Sequence, residues 1–469
     1  MPASLTAPQP SSFDTMLEAL IPVIEQVQVS PSTGSSIAQS TPPEVIFEIF
    51  KPFATRLDVR SSGRTHQFPW YLGQICSTWR SVFLSMHCEF WSEFCLSPDS
   101  ALQRDTQVTQ EMEMRCTAIA KLFLEYGRGR PFSFEIHQGA PSSRLLDIFM
   151  RESERWLDVQ CTMYTSKIRS LSAIKNRIPL LRTLVLFPIG LNPHKWNAAS
   201  GCQDVFKNAP RLTRLRTYCL SKWEFNWSSF TVFELTFAMP GDYLFHVLSE
   251  MKNLEKLFLD QTTWWQSDPH RMITFPCLKV LANTGYMCLV LLAIEAPKLQ
   301  ELYIDMIGVF QPDPQPWTEF FCTSSFQLKH LGIKTDQEWF MEHLVQFTPE
   351  VECLNLVVSP YVRGCQLYDL LANHPDQLPE LRELRLYFLD NSEPEFAHLT
   401  WLSNIIRSRT SIKCLILTLF PEANPSAPQL MEVKALCVEG GIQLGVECFA
   451  RGTDWASSIV HGKLVPRHY

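Results

Sequence analysis

The chain has 469 residues, of which 46% are hydrophobic, and its 41 Lys and Arg residues against 48 Asp and Glu residues give a net charge of −7. This length exceeds what one compact core usually holds, so we expect two units, or one small domain and an elongated array. Neither sign of charge is concentrated in a long run, which makes nucleic acid a poor partner, because phosphate binding needs a concentrated basic face.

The cysteines and the first residues indicate a reducing compartment. The fifteen cysteines are scattered and include no Cys-x-x-Cys pair. The opening MPASLTAPQPSSFD lacks the basic region and apolar run of a secretory signal. These features predict a reduced protein of the cytoplasm, the nucleus or both. The apolar run 286–294 has nine residues, whereas a membrane-spanning helix needs roughly twenty, so we predict no membrane partner.

Residues 1–40 are rich in Pro, Ser, Thr and Gln. This composition predicts a flexible N-terminal arm, because it offers little apolar surface to bury. One short helix is predicted from Phe13 to Gln28, where several apolar residues fall near one helical face. That helix could bind a partner loosely, but the composition favours a mostly disordered leader.

Two apolar helical stripes follow the arm within residues 41–96. Thr41 can cap a helix, the two prolines after it fit a first turn where no amide donor is lost, and Glu44 lies at the positive end of the helix dipole. The first stripe consists of Val45, Ile46, Ile49 and Phe50. The second consists of Leu72, Ile75, Cys76, Trp79, Val82 and Phe83, with Trp91 closing the segment. We interpret the polar interval 51–68 as a loop.

The order of these motifs resembles the F-box, in the large fungal form that is followed by a repeat array. The matching runs are PPEVIFEIF from Pro42 and ICSTWRSV from Ile75, followed by Trp91. The sequence departs from the family pattern at Thr41, where the family prefers leucine, and in the length of the interval 51–68. The resemblance implies helices that pack against the Skp adaptor of a cullin-RING ubiquitin ligase.

Short helices of this kind cannot bury their own apolar faces, so an exposed partner-binding face is expected. The predicted adaptor-binding residues are Pro42, Pro43, Val45, Ile46, Ile49, Phe50, Ile75, Cys76, Trp79, Val82, Phe83 and Trp91. An alternative is that four of these, Ile46, Phe50, Trp79 and Phe83, only form the N-terminal cap that a repeat array requires. The two interpretations are compatible.

Helical and strand patterns alternate through residues 97–469. The predicted helices span 106–125, 144–155, 202–208, 242–251, 317–323, 337–347, 366–373, 396–407 and 429–438. The predicted strands are 131–137, 156–163, 442–448 and one strand in each copy of a repeated phrase. Helices and strands in fixed order favour neighbouring parallel strands joined by right-handed returns.

The repeated phrase is an apolar residue, two variable positions and a leucine, as in APKLQELYID from Ala296. It occurs ten times, and its first apolar positions are Leu181, Leu212, Val232, Leu254, Leu278, Leu299, Leu328, Val351, Leu381 and Ile412. The mean step of about 26 residues lies within the range of leucine-rich repeats. The predicted fold class is α/β: a short N-terminal F-box-like helical domain followed by a curved leucine-rich-repeat-like solenoid of alternating helices and parallel strands.

Side chains alternate along a strand, so the phrase also predicts which residues face the core. Leu299, Leu302 and Ile304 are predicted to be buried, whereas Glu301 and Tyr303 are predicted to lie exposed on the concave face. The same rule gives a ladder of basic and aromatic residues, which are enriched in protein-binding hot spots. With a tryptophan pair from one loop, the predicted substrate-binding residues are Arg214, Arg216, Lys256, Phe258, Trp264, Trp265, Glu301, Tyr303, His330, Arg385 and Tyr387.

Motifs for chemistry are lacking. The sequence contains no Gly-x-Ser-x-Gly, His-Glu-x-x-His or Walker phosphate loop. Cys76, His87, Cys88 and Cys95 lack the paired spacing of a zinc site, so we predict no metal and no cofactor.

The predicted function is therefore a non-enzymatic, substrate-recruiting subunit of an SCF-type ubiquitin ligase. Its F-box-like helices would bind a Skp adaptor within the cullin complex, and its repeat array would bind a protein substrate. One alternative is a ligase-independent protein-binding scaffold. A further alternative, ranked below the scaffold, is an enzyme that uses Glu301 and His330 on the concave face. The concave face could also be an ordinary solvated sheet face, without a role in binding or catalysis.

Overall fold

The computed structural model describes most of the chain, in two compact units. The described residues are 37–60, 65–66, 68–86, 90–97, 110–137, 143–189, 202–218, 223–236, 241–260, 272–284, 293–305, 315–324, 326–334, 344–358, 371–388, 400–419, 427–449 and 464–466. The helical unit comprises the described residues up to Ala54 together with Pro69–Met86. The sheet unit comprises Thr55–Phe68 and the described residues beyond position 87.

The helical unit forms where the two apolar stripes were predicted. It contains α1 (Ile37–Ser40), α2 (Pro43–Phe50) and α3 (Ser77–Ser85), with 3-10 turns at Lys51–Phe53 and Trp70–Gln74. In the first turn of α2, the amides of Val45 and Ile46 donate to the Pro42 carbonyl at 3.1 Å. The Phe50 ring packs edge-on against the rings of Trp79 and Phe83, at centroid distances of 5.0 and 6.2 Å. Part of each stripe therefore lies in the core of this unit, where Phe50 meets Trp79 and Phe83.

The sheet unit alternates strands with helices. Its strands are β1 (Leu57–Arg60), β2 (Thr65–His66), β3 (Glu93–Ser97), β4 (Phe132–Ile136), β5 (Trp156–Tyr164), β6 (Thr183–Ile189), β7 (Arg214–Thr217), β8 (Val232–Leu235), β9 (Lys256–Asp260), β10 (Ile273–Thr274), β11 (Val280–Thr284), β12 (Ile294–Glu295), β13 (Glu301–Asp305), β14 (His330–Lys334), β15 (Cys353–Val358), β16 (Glu383–Phe388), β17 (Cys414–Leu419), β18 (Gln443–Phe449) and β19 (Leu464–Pro466). Its helices are α4 (Gln110–Tyr126), α5 (Ser143–Arg151), α6 (Thr165–Ile168), α7 (Gly241–Glu250), α8 (Gln315–Ser324), α9 (Thr400–Ser408) and α10 (Ala427–Glu439).

Parallel pairing follows chain order through the large sheet. Beginning at β1, which pairs with β3, the sheet continues through β4 to β9, then β11, then β13 to β18. Two antiparallel strands complete it, β2 on β1 and β19 on β18, while β10 and β12 form a separate parallel pair. All ten repeated phrases form strands of this sheet, so the predicted parallel α/β alternation is confirmed.

Leucines of successive strands lie in register and form the core. Seven strands from β9 to β17 align Leu257, Leu281, Leu302, Leu331, Leu354, Leu384 and Leu415. All seven side chains are buried. Leu299 and Ile304 are also buried, which confirms the predicted core positions of the phrase. The row is the expected result of a period-two strand pattern repeated at each step of a parallel sheet.

Several sequence predictions differ from the structure. The interval 51–68 contains β1 and β2, because Leu57 and Val59 are buried and alternate with polar residues that face the other way. Since β1 and β3 belong to the sheet unit, the predicted helical domain 41–96 contributes to both units. Residues 202–208 form hydrogen-bonded turns instead of a helix.

Two other predicted helices are short where they are described. Residues 344–347 and 371–373 are helical, whereas the remainder of the predicted helices 337–347 and 366–373 lies outside the described residues. The predicted helix of the N-terminal arm also lies outside them. None of the described helices combines the length and the apolar character that crossing a membrane requires.

Candidate functional site

Helix α2 presents one apolar face to the core of the helical unit and a second apolar face to solvent. Ile46 and Phe50 are completely buried, whereas Val45 and Ile49 are 48% and 41% exposed. Residues four apart lie above one another on a helix, so Val45 and Ile49 form one continuous outer strip. The sequence predicted all four as partner-binding residues, and the structure divides them into two faces.

The second predicted stripe divides in the same way. Ile75 is 47% exposed, while Val82 and Phe83 are buried. Trp79 is half-buried, and its indole Nε1 donates a 2.9 Å hydrogen bond to the Ala38 carbonyl. Cys76 is half-buried too, and Pro42 and Pro43 are exposed. The predicted adaptor residues open to a partner are therefore Pro42, Pro43, Val45, Ile49 and Ile75, with partial access at Cys76 and Trp79.

The helical unit also has exposed apolar side chains that were not in the predicted set. Ile37, Phe53 and Tyr71 are exposed as well. Six of the twelve large apolar side chains that are exposed among the described residues belong to this small unit. These three residues were not predicted because they fall outside the two helical stripes, in α1 and in the 3-10 turns.

Trp91, predicted to belong to the adaptor-binding set, lies in the core of the sheet unit. Its side chain is 1% exposed, and its ring lies 5.4 Å from that of Phe68 and 5.1 Å from that of Tyr126. The partner-binding assignment of Trp91 is therefore wrong for this structure. The physical reason is that Trp91 lies two residues before β3, whose pairing draws this part of the chain into the sheet unit.

The predicted substrate-binding residues share the sheet face opposite the leucine row, which we call the open face. Arg216 aligns with Glu234, Glu234 with Phe258, and Tyr303 lies two strands further along the same row. Their exposure nevertheless varies. Arg214 and His330 are exposed, Arg216, Lys256, Glu301 and Arg385 are half-buried, and Phe258, Tyr303 and Tyr387 are buried. Trp264 and Trp265 lie outside the described residues.

Tyr303 was predicted to be exposed, and this prediction is wrong. Only 3% of its surface is accessible, because the ring lies over Gly332, its register partner on β14. Its hydroxyl donates to Glu301 Oε2 at 3.1 Å. Burial, followed by the charge and hydrogen bond of Glu301, raises the pKa of Tyr303 above its usual value. The face assignment was correct, but a glycine one strand away provides the space that buries the ring.

A second tyrosine on the open face is buried with an amide partner. The Tyr387 hydroxyl donates to Asn355 Oδ1 at 3.2 Å, and both residues are inaccessible. Burial raises the pKa of Tyr387 above its usual value. Neighbouring Arg385 forms an ion pair with Glu383; burial opposes its charge, but the bond to Glu383 outweighs burial and raises the pKa of Arg385. The Tyr387–Asn355 hydrogen bond connects β16 to β15, whereas the Arg385–Glu383 ion pair lies within β16.

Two ion pairs on the open face join neighbouring strands. Arg216 lies 2.7 Å from Glu234 and stacks over the Phe187 ring at 5.3 Å. Lys334 binds Asp305 at 2.6 Å. Among the described residues these pairs give the face mixed polarity, without a concentrated basic strip.

A cluster that the sequence did not predict lies on β3, on β4 and at the residue that follows β4. Its members are Cys95, Glu135 and His137, whose ligand atoms all lie within 4.8 Å of one another. His137 Nε2 lies 2.8 Å from Glu135 Oε1. Hydrogen bonds with Cys95 and then with Glu135 raise the pKa of His137 to about 9. No sequence signal could have found the cluster, because the cysteine is far from the other two members along the chain.

Compared with known proteins, the chain matches no protein-family model and no curated protein. The functional assignment therefore rests on the side chains of the two units. Of these, the outer strip of α2 is the region where a sequence motif and exposed apolar surface coincide.

Proposed function

We propose that this chain is a substrate-recruiting subunit of an SCF-type cullin-RING ubiquitin ligase. The helical unit would bind a Skp-family adaptor, and the sheet unit would bind the protein substrate. The observation that supports this proposal best is the exposed apolar strip of Val45 and Ile49, with Ile75 also exposed, on the unit whose motifs resemble the F-box. Neighbouring exposed apolar side chains are typical of interaction sites, which supports the proposal.

The energetics of the strip favour a protein partner. Completely burying a side chain of the size of Val or Ile is worth about 1.5–3 kcal/mol. Covering one that is about half exposed recovers roughly 1 kcal/mol. Association costs translational and rotational entropy, which the contacts must offset. Several such residues on a preformed helical surface can supply a useful part of the free energy that is needed.

The role in the ligase requires no catalytic residue in this chain. A recruiting subunit contributes proximity, because it holds the substrate near the ubiquitin-transferring subunits. On the open face, direct contact with substrate is proposed for the accessible members of the predicted set, which are Arg214, Arg216, Lys256, Glu301, His330 and Arg385. Phe258, Tyr303 and Tyr387 would act indirectly, by fixing the strands on which these residues lie.

The test is binding of the purified full chain to a purified Skp-family adaptor. Val45→Asp places a charge on the outer strip and should weaken adaptor binding at least about tenfold, whereas Val438→Asp, the same change at an exposed position of α10, should leave it unchanged. Circular dichroism would verify that both variants fold. Ile46→Asp is unsuitable, because its buried side chain would disrupt the helical unit itself.

Two results would reject the proposal. One is a folded wild-type chain that does not bind the adaptor, and the other is equal adaptor binding by Val45→Asp and wild type. The ligase-independent scaffold, with the helices serving as a cap, would then become the preferred function. Complete burial of Ile46 and Phe50 within the helical unit is compatible with that alternative, because these two predicted adaptor residues are inaccessible to a partner.

A further inference from the structure

Parallel register brings three metal-ligating side chains together on the open face of the sheet unit. Cys95 on β3 is the direct register partner of Glu135 on β4. His137 lies two residues after Glu135, so both side chains point to the same side of the sheet. Their ligand atoms and the Cys95 Sγ all lie within 4.8 Å of one another.

We propose that Cys95, Glu135 and His137 bind one zinc ion. A thiolate, an imidazole and a carboxylate are the three ligand types that zinc takes in proteins, at bond lengths of about 2.0–2.3 Å. Tetrahedral geometry at these lengths places ligand atoms roughly 3.4–3.7 Å apart. The 2.8 Å separation of His137 Nε2 and Glu135 Oε1 must therefore widen by somewhat under 1 Å, and a fourth position remains for water.

Burial and charge at the cluster suit an ion. The Cys95 side chain is buried, whereas Glu135 and His137 are 23% and 35% exposed. An ion can therefore approach the cluster past the partly exposed carboxylate and imidazole and reach the buried thiolate. One thiolate and one carboxylate neutralise the two positive charges of zinc, which keeps the partly buried site from holding an uncompensated charge.

Neighbouring side chains hold the proposed ligands in place. Arg56 Nη1 donates to Glu135 Oε2 at 3.0 Å, and Gln160 Nε2 donates to Oε1. Ser97 Oγ lies 3.3 Å from Cys95 Sγ and donates to Asp58 Oδ1 at 3.4 Å. Partners that orient the ligands are characteristic of metal sites, where their loss costs about 10–100-fold in affinity. The negative charge of Asp58 also offsets that of Arg56.

Cobalt(II) provides the direct test, because it occupies zinc sites and a cobalt–thiolate bond gives a strong near-ultraviolet charge-transfer absorption. The full chain, stripped of metal with a chelator, should bind one equivalent of Co²⁺ with this absorption, and Zn²⁺ should displace it. Cys95→Ser should abolish the absorption, and His137→Gln should weaken binding at least about tenfold. Cys322→Ser, which removes an exposed cysteine elsewhere, should change neither.

The proposal is overturned if wild type shows no thiolate absorption, or if the absorption persists in Cys95→Ser. Either result would identify the cluster as a hydrogen-bonded network only. If Cys95→Ser fails to fold, His137→Gln decides the question, because the partly exposed His137 side chain can be replaced with little effect on the core. Unchanged Co²⁺ affinity in His137→Gln also overturns the proposal. Adaptor binding is a separate measurement, so zinc binding and the ligase function can fail independently.

Discussion

The structure predicts that Gly332→Ala lowers the free energy of unfolding, whereas backbone propensity alone predicts that it raises it. Within a strand, alanine is normally favoured over glycine by roughly 0.5–1 kcal/mol, because it loses less conformational entropy on folding. At this position, however, a Cβ atom would lie 2.2 Å from Cδ1 and 2.9 Å from Cε1 of Tyr303. Real atoms do not approach this closely, so the tyrosine ring or the strands must move.

Displacing the ring costs more than the backbone gains. Overpacking a well-filled site typically costs about 1–3 kcal/mol, and the Tyr303 ring would also lose part of its burial and its hydrogen bond to Glu301. The net expectation is destabilisation by roughly 1–2 kcal/mol once the entropic gain is subtracted. Chemical denaturation followed by tryptophan fluorescence measures the change, and hydrogen exchange of β13 and β14 should show that it is local.

A double-mutant cycle separates the clash from any other cause. In a Tyr303→Ala background the obstructing ring is absent, so Gly332→Ala should be neutral or stabilising by up to about 1 kcal/mol. The coupling between the two positions should therefore be roughly 1–3 kcal/mol. A stable Gly332→Ala variant in the wild-type background, or equal effects in both backgrounds, would refute the account of how Tyr303 is buried.

Three further substitutions test the core. Leu302→Ala should destabilise the sheet unit by about 2–5 kcal/mol, because it leaves a cavity in the leucine row; thermal unfolding would show this, and an effect below about 1 kcal/mol would contradict the assignment. Arg409→Met should cost about 3 kcal/mol or more, since the buried guanidinium donates to three backbone carbonyls within 371–378; a stability equal to wild type would rule that out. Trp91→Ala should destabilise the sheet unit by about 3–5 kcal/mol and lower its unfolding temperature. The folded variant should keep its affinity for the adaptor. A specific loss of adaptor binding would instead show that Trp91 belongs to the partner-binding set.

Local sequence patterns determined most of the sheet. A leucine at every second position of a short strand specifies which face is buried, and repetition about every 26 residues specifies that the strands are neighbours. The ten phrases therefore predicted ten strands, their order and the burial of residues such as Leu299 and Leu302. Helical periodicity also predicted α2 and α3, but it did not predict that the stripe of α2 divides into a buried face with Ile46 and Phe50 and an exposed face with Val45 and Ile49.

Tertiary structure decided which residues of those strands are accessible. Tyr303 is buried because its neighbour in the adjacent strand is Gly332, and Trp91 is buried because β3 pairs with strands on both sides. The strand β1 could not be predicted, since four alternating residues form a stable strand only when a partner is present. Exposure depends on residues that lie side by side but are distant in sequence.

The cluster of Cys95, Glu135 and His137 shows this limit most clearly. The cysteines and the histidine near Cys95 in the chain lack the spacing of a zinc site, so the sequence predicted no metal there. The ligand partners lie on the next strand of a parallel sheet, and a long connection separates parallel neighbours along the chain. Periodicity fixes the face on which a side chain lies, whereas the register between strands, which depends on the packing of the whole sheet, decides which side chains meet there.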